Sequence, residues 1–249
     1  MERVDGRGPR QLRPVTFEVD VNAHAEGSCL MRIGRTTVLA TASLEDKVPP
    51  FLRGKGQGWV HAEYGMLPRA TRDRTPREVT RGRPQGRTQE IQRLIARALR
   101  AVTRLEVLGE RGVVVDVDVL QADGGTRTAG ICAGFLALMG AMRRLELPAP
   151  PFVDWLAAVS VGLAGGEVWL DLCYDEDSTV DVDFNCAMTA GHRLVEVQGT
   201  AERGLFDRAV LETMLDVAQA GIDELVGRMR AAFPEGETYV RADVGTGES

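Results

Sequence analysis

Residues 120–130, LQADGGTRTAG, restrict the local fold more than any other part of this chain. The run before them, VVVDVDVL at 113–120, alternates apolar and polar positions and reads as a strand. The run after them, 129–147, is small and apolar and reads as a buried helix. A strand, two glycines, then Thr126 and Arg127 opening a helix is the layout of an anion cradle. Glycines let the backbone come close, and the first N–H groups of a helix have no partner within it. Thr126 can cap the helix or bind an oxygen, and Arg127 adds full charge and a fork of donors. A capped turn whose arginine pairs with a surface acid would satisfy the same residues, so this stretch alone leaves both readings open.

The chain has 249 residues, enough for one large domain or two small ones. No apolar run approaches the roughly 20 residues of a membrane helix. The first residues, MERVDGRGPRQLRP, have neither the apolar core nor the cleavage pattern of a secretory signal. A cytoplasmic protein with no membrane association is therefore expected. Cysteines 29, 132, 173 and 186 form no C-x-x-C pair, which fits free thiols, and histidines 24, 61 and 192 lack metal-site spacing.

Charge is unevenly distributed. Residues 1–111 hold 21 basic and 13 acidic side chains, a balance of +8, while residues 112–249 hold 9 and 23, a balance of −14. Only residues 47 and 55 are lysine; every other basic residue is arginine. An acidic protein with one concentrated basic region points to a polyanion bound locally.

Short strands are expected at 15–21, 29–33 and 37–43, with Gly34-Arg35 as a hairpin turn. A Gly- and Pro-rich loop at 45–86 precedes a helix from 88 to about 105. After the strand and buried helix, the prolines at 148, 150 and 151 mark an internal boundary. Strands at 156–163 and 167–174 turn at Gly165-Gly166, those at 180–188 and 194–197 turn at Ala190-Gly191, and a last helix spans about 207–233. The order implies an α+β fold, one domain over 1–249, with a first half at 1–147, a second at 152–233 and a frayed polar tail at 234–249.

Between residues 69 and 104 there are 11 arginines against three acids, Asp73, Glu78 and Glu90. Arg69, Arg72, Arg74, Arg77, Arg81 and Arg83 form an irregular arm. On the helix that follows, Ile91, Leu94, Ile95, Ala98, Val102 and Leu105 make one stripe, and Arg93, Arg97, Arg100 and Arg104 the opposite one. Such a row suits a phosphodiester backbone, a solvated face, or a partner subunit's acids. Gly86-Arg87-Thr88, at the start of this helix, repeats the logic of the cradle. Residues 174–183 carry five acids, with Asp181 and Asp183 on one face if the chain is extended there. Clustered carboxylates need a metal, a proton or arginine, and oxygen ligands suit Mg²⁺ or Mn²⁺; an exposed acidic turn is the alternative.

Together these segments resemble the ribonuclease PH family of phosphate-dependent 3′-to-5′ exoribonucleases. The resemblance rests on HAEGS (24–28), GQGWVHAEYGMLPR (56–69), GRTQEIQRLIARALRA (86–101), DVLQADGGTRTA (118–129), AAVSVG (157–162), EDS (176–178) and VEVQGTAE (195–202). It implies two βαβ-type halves with mixed sheets and helices packed to one side, and a homohexamer built as a trimer of dimers. It also implies phosphorolysis of tRNA 3′ ends and other RNA, with inorganic phosphate as co-substrate and nucleoside diphosphates as products of a reversible nucleotidyl transfer. By the same resemblance Arg87, Gly125, Thr126 and Arg127 bind phosphate, and Asp177 and Asp183 are the metal-binding and catalytic acids. Arg69, Arg72, Arg74, Arg77, Arg93 and Arg97 are the candidate RNA contacts. The chain departs from the family pattern with Arg83-Pro84-Gln85 in place of a lysine-containing stretch, with the extra Asp181, and with small residues at 130–134. A non-catalytic RNA-binding ring subunit and a hydrolase using water are the rival readings. The intact Arg87, Thr126, Arg127, Asp177 and Asp183 argue against the first.

Overall fold

A computed structural model describes residues 3–82 and 85–241. The Arg83-Pro84 pair and the side chain of Arg81 lie outside that description. In the first half, strands β1 (Val15–Val19), β2 (Gly27–Ile33), β3 (Thr36–Glu45), β4 (Trp59–Met66) and β5 (Gly112–Gln121) form one sheet in the order β1-β2-β3-β5-β4. Val38, Ala40 and Ala42 on β3, and Val113, Val115, Val117 and Val119 on β5, alternate into the core. Asp116 and Asp118 take the opposite face. The hairpin at Gly34-Arg35 falls where expected, with Ile33 paired to Thr36.

β4 corrects the expectation of an irregular segment from 45 to 86. Val60, Ala62 and Tyr64 are buried in strict alternation and pair with β5 in parallel. The intervening His61, Glu63 and Gly65 have poor strand propensity, which hid a period-two signal. Parallel neighbours need a crossover. Helix α1 (Gly86–Val102) and the short α2 (Leu105–Leu108) provide it. On α1, Ile91, Leu94, Ile95, Ala98 and Val102 are buried as expected.

Helix α3 (Thr126–Ala141) is buried all round, from Thr128 to its end. It packs on β2, β3 and β5 of the first sheet and on β6 (Leu156–Ala164) and β8 (Val182–Thr189) of the second. The small residues at its start explain this close fit. A Cβ at Gly130 would stand 3.1 Å from both Ile95 and Val117 side chains.

The second sheet adds β7 (Glu167–Leu170) and β9 (Leu194–Ala201) in the order β7-β6-β8-β9, antiparallel throughout. The α+β class therefore holds, but a mixed sheet with a parallel crossover occurs in the first half only. In the second half the turn at Gly165-Gly166 and the 190–193 turn make hairpins, which need no crossover. Helix α5 (Arg208–Ala232) starts at Asp207, whose carboxylate accepts the Val210 N–H at 2.9 Å, and packs on β6, β7, β8 and β1. One continuous apolar core runs through both halves. Residues 234–241 are docked rather than frayed: Phe152 donates its N–H to Tyr239 and accepts from Arg241 at 2.8 Å. Residues 242–249 of the expected tail lie outside the described residues.

Gly27, within HAEGS, sits where β2 meets α3. A Cβ there would stand 2.1 Å from the Ala137 carbonyl oxygen and 2.4 Å from the Ala141 nitrogen. Backbone cannot give way as a side chain can. Gly27→Ala should therefore cost about 3 kcal/mol, lowering Tm by roughly 10 °C. Gly130→Ala, which meets only movable methyl groups, should cost about 1 kcal/mol or less. Thermal unfolding of the two variants checks the ranking.

Candidate active site

The turn at 123–125 enters α3 through two left-handed glycines, Gly124 at φ 78° and Gly125 at φ 68°. A Cβ on Gly124 would meet the Leu172 carbonyl oxygen at 2.5 Å, so glycine is needed for conformation and for space. Gly125, not Thr126, is the N-cap of α3. Thr126 opens the first turn, and its Oγ1 accepts a hydrogen bond from the Tyr64 hydroxyl at 3.0 Å. That leaves the threonine's own proton free to be donated. Tyr64 was not singled out from sequence; the alternation of β4 is the signal that would have placed it inward. Burial holds its hydroxyl above the ordinary tyrosine range, against the Thr126 bond and the charges of Arg87 and Arg127, so it stays a neutral donor.

The start of α1 differs from the expected layout. The helix begins at Gly86 with Gln85 as N-cap and no side-chain cap. The Thr88 hydroxyl donates to Glu78 at 2.7 Å instead of capping. Arg87 lies in the first turn and, with Gly125, Thr126, Arg127, Asp177 and Asp183, lines a single cavity of about 300 Å³. An adjoining cavity of about 640 Å³ shares Arg87, Arg127, Asp177 and Asp183 and adds Gln198, Thr200 and Glu202. Arg127 donates to Gln198 at 3.1 Å across the boundary between the halves. The starts of two helices thus bring two arginines to one space, which sequence alone cannot establish.

The acidic stretch divides into parts with different surroundings. Tyr174–Asp177 is a short helix, α4, and Asp177 is its last residue. Asp183 sits on β8, with Asn185 donating to it at 3.1 Å. Burial raises both carboxyls above the usual range. For Asp183 the Asp177 charge adds to that rise; for both, Arg127 opposes it. Asp181 turns elsewhere, accepting the Gly165 N–H at 3.0 Å on the β6–β7 hairpin. Asp175 lies 3.5 Å from Arg72, and Glu176 is buried against Arg3. Among the described residues no group of three or more His, Cys, Asp or Glu side chains is arranged to hold a metal ion. Two carboxylates fit Mg²⁺ or Mn²⁺ only where waters and substrate oxygens complete the shell, as hard cations commonly allow.

The basic region is less free than its sequence implies. Arg97 makes two 3.0 Å hydrogen bonds to Glu196 on β9. Arg100 lies 4.3 Å over the Trp59 ring and donates to the Val60 carbonyl, and Arg104 pairs with Glu106. Arg69, Arg72, Arg74, Arg77 and Arg93 remain exposed. Arg69 and Arg72 share a groove with Arg35, and that groove meets the main cavity at Thr71 and Ala122.

Family models for the 3′ exoribonuclease family match residues 11–143 as its domain 1 and 154–221 as its domain 2. The ribonuclease PH of Exiguobacterium sibiricum is 52% identical over 246 residues, covering 97% of this chain and 98% of that protein. The ribonuclease PH of Moorella thermoacetica is also 52% identical, over 99% of each. Among solved structures, a chain of the Archaeoglobus fulgidus exosome with RNA bound to the active site superposes with a TM-score of 0.78 at 24% identity, over 91% of this chain and 92% of that one. Rice Rrp46 gives 0.75 at 20% identity, over 92% and 98%, a likeness of fold. The chain belongs to the ribonuclease PH family of 3′ exoribonucleases.

Proposed function

We propose that this chain shortens the 3′ ends of tRNA precursors and other RNA by phosphorolysis, reversibly, with inorganic phosphate entering the cavity shared by α1, α3, α4 and β8. The observation that carries this reading is the convergence of Arg87 and Arg127 with Asp177 and Asp183 on that space. Attack by one anion on another requires that like-charge repulsion be removed. Arg87, Arg127 and the first N–H groups of α3 neutralise and orient the phosphate, and Thr126 donates its hydroxyl proton to it. Asp177 and Asp183 would hold Mg²⁺ or Mn²⁺, which when bound supplies positive charge to the transferred phosphoryl group. Burial and the neighbouring charge strengthen the hold of this pair on a proton, and one of its carboxyls would pass a proton to the departing 3′-oxygen. The product is a nucleoside diphosphate, and the same pocket holds its terminal phosphate in reverse. In this reading Arg69, Arg72, Arg74, Arg77 and Arg93 follow the RNA backbone, and Arg97 joins them only by leaving Glu196. The proposed assembly is a cytoplasmic homohexamer; among the described residues no helix is long and apolar enough to cross a membrane.

Arg87→Ala should raise the phosphate requirement and lower turnover about 10²–10³-fold, as for loss of one preorganised donor, with RNA affinity near normal. Phosphate titrations of RNA degradation, with products identified as di- or monophosphates, test the function itself: phosphate-independent release of monophosphates would make it a hydrolase. Normal phosphate dependence with poor RNA binding would move Arg87 onto the RNA track.

Asp183→Asn should abolish most turnover, whereas Asp181→Asn, on a remote hairpin, should change it little. The same change should raise Tm at neutral pH. A carboxyl whose folded pKa exceeds its unfolded one binds its proton more tightly when folded. Stability therefore falls as pH rises through the unfolded and then the folded pKa, and the penalty is complete at neutral pH. An amide carries no such penalty. A lowered Tm would place Asp183 in a structural role.

Replacing Arg72, Arg74 and Arg77 together by glutamine should weaken long-RNA binding. It should also flatten the log–log salt slope by about 2, at about 0.7 per single-strand phosphate contact. An unchanged slope with unchanged oligomeric state removes this loop from the RNA path, and a shift to dimers places it at a subunit contact.

A further inference from the structure

The residues before β1 run along the second half of the molecule rather than the first. Arg3 grips the buried Glu176 through one guanidinium edge, Nε and Nη2, at 2.9 and 2.7 Å. It also donates to the Leu170 and Asp171 carbonyls at 2.7 and 2.8 Å. Arg13 grips the buried Asp171 in the same way, at 2.9 and 2.6 Å, and reaches the Asp123 carbonyl oxygen at 2.5 Å. Arg7 adds a third guanidinium at the Asp171 carbonyl, 3.1 Å away. Glu176 in turn accepts the Cys173 N–H at 3.1 Å and so caps α4, the helix that ends in Asp177. The Asp123 carbonyl belongs to the turn that leads through Gly124 and Gly125 into α3.

One strap thus holds both walls of the cavity from behind, and neither arginine lines the cavity itself. The buried Glu176 carboxylate is met by the Arg3 hydrogen bonds, the Cys173 N–H and the Arg7 guanidinium 3.7 Å away. Deep two-pronged pairs of this kind fix geometry closely, because a guanidinium and a carboxylate meet in one plane and one register.

We propose that Arg3 and Arg13 are positioning residues of the reaction. Arg3 sets Asp177 through Glu176 and the cap of α4, and Arg13 sets the anion cradle through the Asp123 carbonyl, both anchored at residues 170–171. This rests on the reading of the cavity as the site of phosphate and cation. It assigns separable effects to two residues that a purely structural clamp would not separate.

Removing one partner of a buried pair leaves the other charge unpaired and can prevent folding, so the test uses three milder variants. Arg3→Lys keeps the charge and loses the fork, Arg3→Met with Glu176→Gln removes both charges, and Arg13→Lys probes the second contact. Each is purified as the full chain, and its Tm and oligomeric state are compared with wild type. Mn²⁺ affinity is then measured on the free protein by electron paramagnetic resonance, and kcat and the KM for phosphate on RNA. Both Arg3 variants should bind Mn²⁺ about 10-fold to 100-fold more weakly, the range for loss of a group that orients a ligand, with kcat falling in step. Their KM for phosphate should stay within about twofold. Arg13→Lys should raise the KM for phosphate several-fold and leave Mn²⁺ affinity near wild type. Variants that lose only Tm, with kcat, KM and Mn²⁺ affinity unmoved, would overturn the proposal, as would equal effects of both arginines on both parameters. Phosphate-independent degradation by the wild type would instead sink the reading of the cavity and the proposal with it.

Discussion

Helix α3 has no side turned to water, and the position of the candidate site follows from that. Because residues 128–141 are buried, the helix must be enclosed by both sheets at once. Its interior hydrogen bonds are satisfied along its own axis, but the N–H groups of its first turn are not. They need either solvent or an acceptor, and they emerge at the seam where α4 and β8 of the second half face α1 of the first. The cavity is therefore built from both halves as a consequence of how the core closes. Gly130 and Gly134 allow that closure by letting Ile95, Leu99, Val115 and Val117 approach the helix axis.

The opposed charges of the two halves have a physical use in this arrangement. Arg3 with Glu176, Arg13 with Asp171, Arg97 with Glu196 and Arg72 with Asp175 all join the arginine-rich half to the acid-rich one. These contacts are unequal. Arg72–Asp175 is exposed, and such pairs are worth roughly 0–1 kcal/mol. The Arg3 and Arg13 pairs are buried, where a lost partner is costly and alignment counts for more than net attraction. Much of the basic excess read from sequence is thus spent within the chain. Among the described residues of the arginine-rich loop and α1, Arg69, Arg74, Arg77 and Arg93 stay exposed and can meet an outside polyanion.

What could be read from sequence was whatever depends on local pattern. The β5–cradle–α3 unit, the apolar stripe of α1 and the hairpin at Gly34-Arg35 are written in neighbouring residues; the elements stand where expected but their ends shift, α3 closing at Ala141 rather than 147 and α1 at Val102, with Leu105 opening α2. β4 was lost because His61, Glu63 and Gly65 on its outer face obscured Val60, Ala62 and Tyr64 on its inner one. Residues 234–241 looked like a tail because their anchor, Phe152, is more than 80 positions away. Tyr64 with Thr126, and the strap from Arg3 to Glu176, are 62 and 173 residues apart. Contacts of that span leave no local signature. The acidic stretch was legible as chemistry but not as geometry: five carboxylates in ten residues go to four different surroundings, and only two face the cavity.

The formal charge of those two explains why a cation belongs in the proposal. Arg87 and Arg127 bring two positive charges to the cavity, and Asp177 and Asp183 bring two negative ones when ionised. Such a site is nearly neutral before any substrate arrives. Phosphate and a phosphodiester must then enter together, and both are anions. Burial makes their repulsion stronger than it would be in water. Protonation of one carboxyl, favoured by its raised pKa, removes a single charge. A divalent cation held by Asp177 and Asp183 would offset two more and leave both arginines to the phosphate. Glu202, which raises the pKa of both aspartates, makes that demand greater. Among the described residues lining the cavity only Arg87 and Arg127 carry fixed positive charge, so the proposed reaction draws on a mobile cation to bring both anions together.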